Sequence, residues 1–357
     1  ADTRQTRQAN AWIEGVMRSD YLWYEDIPAP GSLNYDADPS EFFFSLLSEQ
    51  ERGERSGYYS TITHHATTKA YQGETESYGF EFTLLYLMDD GTYLARVLYV
   101  LPDSPAAEAG LERGDWIYRI DGKELLSYSQ SALRSGGRVE LTLCEYQAES
   151  HTFRPSEKLT LGEARMVADN PVFLDTVYHT AGRNIAYLVY NHFTRGPGGF
   201  YDVTYDNDLR RAFARFRAEE ANELVLDLRY NGGGYLATAQ LLATMIAPTA
   251  SLGDVFCHSD YNDKRDPNRE TTLLDASRIE GGANLDLQRL VVLTTAKTAS
   301  ASEAIVNGLR PFMEVTLIGA KTEGKNVGSL AYESSDWKIE PIVFRVCNKN
   351  GESDYAN

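Results

Sequence analysis

The stretch Lys297–Ser329, KTASASEAIVNGLRPFMEVTLIGAKTEGKNVGS, carries the signals of a turn, a helix, a strand and a glycine-flanked loop in sequence. The apolar, β-branched run Leu290 to Thr294 precedes it as a strand, and Thr298 to Ser302 is small and polar. Ala304, Ile305 and Leu309 then recur at helical spacing until Pro311 stops them. Ser300 therefore stands at the mouth of a helix, where two readings apply. As a nucleophile it would gain from the free N–H groups of the first helical turn, which can hold a developing oxyanion, and from a dipole that favours negative charge. As a cap it would be half of an S-x-x-E box, with Glu303 as the other half. Lys325 is the candidate base for the first reading, because burial would lower its pKa and leave it neutral enough to accept a proton. Its setting, Thr322 to Gly328, equally suits a surface turn with a solvated lysine. Taken alone, this stretch leaves both readings open.

Composition narrows the field. The chain has 357 residues, of which 42% are hydrophobic, enough for two or three folded domains. A net charge of −18 argues against nucleic acid or an anionic membrane as the main partner. No apolar window is long enough for a transmembrane segment, and the first residues lack a hydrophobic signal core. Cys144, Cys257 and Cys347 are far apart, without a C-x-x-C, and the six histidines at 64, 65, 151, 179, 192 and 258 form no H-E-x-x-H. The expectation is therefore no metal, no other cofactor and no disulfide framework.

Residues 1–72 read as a helical region. Ala9, Trp12, Ile13, Val16 and Met17 share one face, and Asp38-Pro39-Ser40 caps a second helix carrying Phe42, Phe43, Leu46 and Leu47. The segment looks like a packing platform without chemistry of its own. The text changes at 73–150, where Ser77 to Leu84 alternates as a strand, Asp89-Asp-Gly91 marks a hairpin turn and Tyr93 to Val100 follows as a second strand. Residues 151–182 form a connecting region whose strand-like runs, Leu159 to Met166 and Pro171 to Val177, belong to neither neighbour on pattern alone. From 183 to 357, apolar runs at Ile185 to Tyr190 and Leu224 to Leu228 alternate with a helix near Asp206 to Glu220, as in a helix-covered sheet. Asp227-Leu-Arg-Tyr-Asn-Gly-Gly-Gly234 then ends a strand in glycines and opens a helix. That pattern can offer bare N–H groups to a carbonyl, and it can equally be a plain turn.

Pro105-Ala-x-x-Ala-Gly-Leu-x-x-Gly-Asp-x-Ile-x-x-Ile-Asp-Gly122 resembles a PDZ domain. The resemblance implies a peptide groove between the strand after Tyr78, Gly79 and Phe80, which match that family's carboxylate loop, and a helix near Ser129 to Arg134. A chain terminus would add there as an extra strand. The PDZ signature, D-L-R-x-N-x-G-G, S-A-S-E and G-K, in that order over about residues 75–345, resembles the C-terminal-processing (tail-specific) serine proteases.

That resemblance implies a multidomain α/β protein: a helical N-terminal region, a PDZ domain and a crotonase-like catalytic domain; the ending Tyr355-Ala-Asn357 shows no obvious stop, so a further C-terminal piece is expected. The resemblance makes Ser300 the nucleophile and Lys325 the general base of a Ser-Lys dyad, with the amides of Gly233 and Ala301 as the oxyanion hole. The implied partners are protein or peptide substrates with free C-termini, and the implied location is the periplasm or cell envelope. The chain departs from the pattern at Ser329, where well-known members carry a lysine-orienting glutamine; a serine hydroxyl could reach only a nearer amine. Ser302 is the alternative nucleophile. A Ser-His hydrolase using His192 or His64, and a non-catalytic peptide-binding scaffold, are the competing classes.

Overall fold

The computed structural model describes residues 3–65, 76–87 and 92–355. Contacts divide the chain into two compact units, Ala1–Ala70 with Pro171–Asn357, and Tyr71–Asn170.

The first unit is built on a sheet of five strands in the order Val172–Thr180, Arg183–Tyr190, Glu223–Asp227, Arg289–Thr294 and Glu314–Gly319. The first two form an antiparallel hairpin and the remaining joins are parallel. Parallel neighbours require crossovers, and the helices Thr204–Ala218, Leu236–Ile246 and Ala301–Leu309 supply them. Leu188, Leu224, Leu226, Leu290 and Val292 are buried along the strands and pack with Phe213, Phe216, Leu241, Leu242 and Ile305 from the helices. This is the helix-covered sheet expected from the alternating pattern.

An antiparallel sheet, Arg269–Leu273, Val255–Tyr261, Ile342–Cys347 and Val327–Ser329, belongs to the same unit. Lys325 therefore lies in the segment that leaves the last strand of the parallel sheet, Glu314–Gly319, and enters the antiparallel one.

The helical expectation for 1–72 holds only for its first part. Helix Thr3–Asp20 and the short helix Pro39–Ser45, capped by Asp38 accepting the Ser40 N–H at 2.9 Å, bury Ile13, Met17, Phe42 and Phe43. After a 3-10 turn at Glu49–Glu51, however, Thr61–His64 is a strand, paired with Trp337–Glu340. Its β-branched Thr61-Ile-Thr63 suits a pleated edge, and its partner lies too far along the chain for any local pattern to show. Ile13, Phe42 and Phe43 share one core with Val327, Ile339 and Ile342, so the N-terminal segment packs on the sheet that receives the lysine loop.

In the second unit, antiparallel strands run in the order Phe80–Leu87, Thr92–Val100, Trp116–Ile120, Val139–Gln147 and Thr152–Leu161. Phe80, Phe82, Val97, Ile117, Leu141 and Leu143 fill its core. Ser104 caps the short helix Pro105–Glu108 by accepting the Ala107 N–H, and a second helix spans Gln130–Arg134. The hairpin turn read at Asp89 to Gly91 lies outside the described residues. The runs within 151–182 go separate ways: Leu159 to Met166 is not one strand, because Thr152–Leu161 pairs with Val139–Gln147 and Arg165–Met166 with Glu76–Ser77, while Val172–Thr180 pairs with Arg183–Tyr190. All three cysteines are buried and free. Among the described residues no group of His, Cys, Asp and Glu is arranged to hold a metal ion, and no helix is long and apolar enough to cross a membrane.

Candidate active site

Two strand-to-helix loops of the parallel sheet, which follow Glu223–Asp227 and Arg289–Thr294, are laced together at the ends of their strands. The Thr298 hydroxyl donates to the Leu228 carbonyl at 2.7 Å, and the Ala299 N–H donates to the Asn231 carbonyl at 3.1 Å. Ser302, wholly buried, donates its hydroxyl to the same Asn231 carbonyl at 3.0 Å. That bond gives the Ser302 hydroxyl a structural partner. Beneath the loop, Asp227 accepts from the Arg229 guanidinium at 2.6 and 2.9 Å and from the Tyr187 hydroxyl at 2.7 Å. Burial pushes the Asp227 carboxyl up, but these donors outweigh it and hold its pKa below the ordinary value.

Ser300 caps the helix Ala301–Leu309 with φ 57° and ψ −116°. A non-glycine residue there is strained by on the order of 1–3 kcal/mol, and such strain recurs where a side chain must be presented at a sharp strand-to-helix turn. The glycine loop makes room for it. A Cβ on Gly233 would lie 2.8 Å from the Ser300 Cβ and 3.0 Å from the Ala301 nitrogen, and Gly233 has φ +104°. Only glycine fits both requirements. The Ala301 N–H is the first of the helix, with no intrahelical partner by geometry. The Gly233 N–H donates to Asn231 Oδ1 at 2.9 Å.

Glu303 joins the serine to the lysine. Its Oε2 accepts from the Ser300 N–H at 2.8 Å and from the Lys325 N–H at 2.9 Å, while Oε1 accepts from the Gly324 N–H at 2.6 Å. The Glu303 half of the capping box is thus present, and the same carboxylate reaches across to the lysine loop. Only 3% of Glu303 is exposed, and burial raises its pKa against the pull of those hydrogen bonds.

Burial likewise pushes the Lys325 amine below its ordinary value, opposed by Glu51, Glu340, Glu303 and Glu323. This is the direction a general base needs. The Nζ lies 4.9 Å from the centroid of the Tyr59 ring. No hydrogen bond joins Lys325 Nζ to Ser300 Oγ among the described residues. Ser329 is in the strand Val327–Ser329, opposite Ile342, and makes no hydrogen bond to the lysine among those residues.

Of the histidines considered, His64 stacks edge-on to Trp337 at 4.7 Å in the small sheet. His192 precedes Phe193, whose N–H donates to the Gly233 carbonyl at 2.9 Å.

In the second unit Tyr78 is buried, and its hydroxyl donates to the Gly137 carbonyl at 2.6 Å. Gly79 has φ +80°, and a Cβ there would fall 2.2 Å from that of Ser104, so this position also demands glycine. Phe80 opens the strand Phe80–Leu87. The helix Gln130–Arg134 is fastened to that strand: the Tyr78 N–H donates to the Arg134 carbonyl at 3.0 Å, and the Arg134 guanidinium grips both Glu81 oxygens at 3.0 Å.

The D-L-R-x-N motif does not itself give Asp227, Arg229 and Asn231 roles, and S-A-S-E shows Glu303 only as a cap. The signal is present, in polar and charged residues placed at a buried strand end. What was missing was the partner of each.

A model described as Peptidase family S41 matches residues 184–357, one described as the Peptidase S41 N-terminal domain matches 8–61, and a PDZ domain model matches 96–145. The class is thus a peptidase fold bearing a PDZ domain. A solved structure of an S41 protease from Bacteroides fragilis NCTC 9343 is 36% identical, with TM-score 0.82, covering 97% of this chain and 87% of that one. The chain belongs to peptidase family S41. A carboxyl-terminal-processing protease of Synechocystis is 27% identical over 266 residues, 74% of this chain and 56% of that protein. The chloroplastic C-terminal processing peptidase of Tetradesmus obliquus is 30% identical over 67% of this chain and 50% of its own length. The chain spans about half the length of the curated relatives it matches. The photosystem II D1 C-terminal processing protease shares the fold, with TM-score 0.58 at 21% identity.

Proposed function

We propose that the chain is a serine endopeptidase of the C-terminal-processing type, with Ser300 as nucleophile and Lys325 as general base. The observation that carries this reading is the buried Glu303 carboxylate, which holds the backbones of both residues at once. The names of the curated relatives support the same activity.

In the reaction, neutral Lys325 takes the Ser300 hydroxyl proton as Oγ attacks a peptide carbonyl. The protonated amine then gives that proton to the leaving nitrogen, and water resolves the acyl-enzyme by the same route in reverse. The Ala301 N–H, at the positive end of its helix, is one oxyanion donor. The Gly233 N–H is the second, and it must exchange Asn231 Oδ1 for the oxyanion, a charged and therefore stronger acceptor. The Lys325 amine must also close on the serine hydroxyl, to which it makes no hydrogen bond among the described residues. Catalytic hydrogen bonds that are long in an empty site commonly tighten when substrate binds. No step of this chemistry calls for a metal or an organic cofactor.

The Tyr78, Gly79 and Phe80 loop would take the C-terminal carboxylate of a protein substrate, which would add as a strand beside Phe80–Leu87. A periplasmic or cell-envelope site of action follows from the same reading. An engaged Gly233 amide and a lysine without a hydrogen bond to the serine are also what a chain that binds tails without cutting them would show.

A fluorophosphonate probe separates the two. Native protein should be labelled at Ser300, Ser300→Ala not at all, and Lys325→Ala about a hundredfold more slowly or less. Labelling at Ser302, or full-rate labelling of Lys325→Ala, would overturn the assignment, the latter in favour of a histidine base, His192 or His64. No labelling of native protein would favour the scaffold.

A further inference from the structure

Something other than Ser329 must fix the direction of the Lys325 side chain, and the group that faces it comes from the N-terminal segment. The Tyr59 ring lies 4.9 Å from Nζ. Its hydroxyl donates to Glu323 Oε1 at 3.2 Å, and the Ser56 hydroxyl donates to the same oxygen at 2.5 Å. The Glu323 N–H in turn donates to the Thr298 carbonyl at 3.0 Å, two residues before the nucleophile. Tyr59 is therefore tied to the loops that carry both members of the dyad.

Its own position is fixed from behind. The neighbouring Ser60 donates its N–H and hydroxyl to the buried Glu51 at 2.9 and 2.8 Å, and the Ser60 hydroxyl accepts the Ile342 N–H at 3.0 Å. Gly53 closes over this joint. A Cβ there would sit 2.5 Å from Ser56 Oγ and 2.6 Å from both Glu323 Oε1 and the Tyr59 hydroxyl oxygen.

We infer that Tyr59 is a positioning residue for Lys325: its ring face holds the amine in one direction and screens it from water, a task the side chain at 329 does not perform. This rests on the Ser300–Lys325 reading above. The groups set around the amine are Tyr59, Glu51, Glu340, Glu303 and Glu323, the first two from the N-terminal segment and the others from the catalytic region. Burial and the Glu323 charge push the Tyr59 hydroxyl up to about 12, so the ring stays neutral wherever the lysine titrates as a base. A ring face attracts the charged amine more than the neutral one. Replacing the ring by an aliphatic group of similar bulk removes that preference, so the lysine deprotonates at lower pH. The fixed direction is lost with it.

The test is kcat and KM against pH for cleavage of an unfolded protein by the full chain carrying Tyr59→Phe, Tyr59→Leu or Tyr59→Trp. Tyr59→Leu should lower plateau kcat about tenfold at unchanged KM and move the acid limb down by about half a pH unit. Tyr59→Phe should restore both, and Tyr59→Trp, with the more attractive ring, should move the limb up. A native limb in both the Leu and Trp variants overturns the proposal, and the Trp result alone decides it if the Leu variant does not fold. A Phe variant as impaired as the Leu variant also overturns it, by moving the effect to the hydroxyl. Full activity of Lys325→Ala is a different failure, that of the base assignment itself.

Discussion

Glu303 links the two halves of the proposed site, because one buried carboxylate accepts from the backbone of both the serine and the lysine loop. Glu303→Gln keeps the shape but turns one acceptor oxygen into a donor facing backbone N–H groups. A lost hydrogen bond to a buried charged group is worth about 1.5–3 kcal/mol, so kcat should fall roughly ten- to a hundredfold with KM little changed. Steady-state kinetics on a variant with a near-native melting curve would check this, and a native kcat would contradict it. In the sequence the residue was visible only as the end of S-A-S-E, a motif that reports local helix capping. Its second bond crosses to residues 324 and 325, a partnership that no local spacing encodes. Gly233 is different: its need for glycine comes from φ and from the approach of Ser300, and the glycine run declared that need directly. Asn231 stood in the same motif, yet its hold on the Gly233 amide depends on a rotamer, which the letters do not specify.

At the scale of elements, the strands and helices around the site were legible because each carries a clean period: Ile185 to Tyr190 and Leu224 to Leu228 as buried parallel strands, Leu209 to Phe216 as one helical face. Thr61–His64 was not, since four residues give too short a run to compete with a helical neighbourhood and the partner strand is Trp337–Glu340. The PDZ unit shows the same limit. Its glycine at 79 was readable, but the bridge from Arg134 to Glu81 between helix and strand was not. Both side chains are partly exposed, so the bridge contributes no more than about 1 kcal/mol. On the proposed reading, a peptide strand entering beside Phe80–Leu87 would displace or rearrange it. Glu81→Gln should therefore strengthen binding of an apolar tail peptide by up to about fivefold, and should also free the Arg134 guanidinium for the peptide carboxylate. Fluorescence anisotropy with a labelled tail peptide would measure this; weaker binding would show that the bridge shapes the groove rather than blocking it.

Across the whole molecule, the order of motifs carried the family assignment, whereas the working parts are shared between segments far apart in the chain. Residues 51–60, read from sequence as part of a packing platform, place Tyr59 and Glu51 beside the lysine; the region 324–329 supplies that lysine and enters the same core through Val327. The central claim is a Ser-Lys peptidase that acts on protein tails. Its most direct test is cleavage of an unfolded protein with an apolar C-terminus by the native chain, Ser300→Ala and Lys325→Ala, followed across pH. Cleavage by the native form alone is expected, rising with pH through the lowered lysine pKa, because only the neutral amine accepts the serine proton. Undiminished cleavage by Lys325→Ala, or no cleavage by the native chain while it still binds the tail, would contradict it.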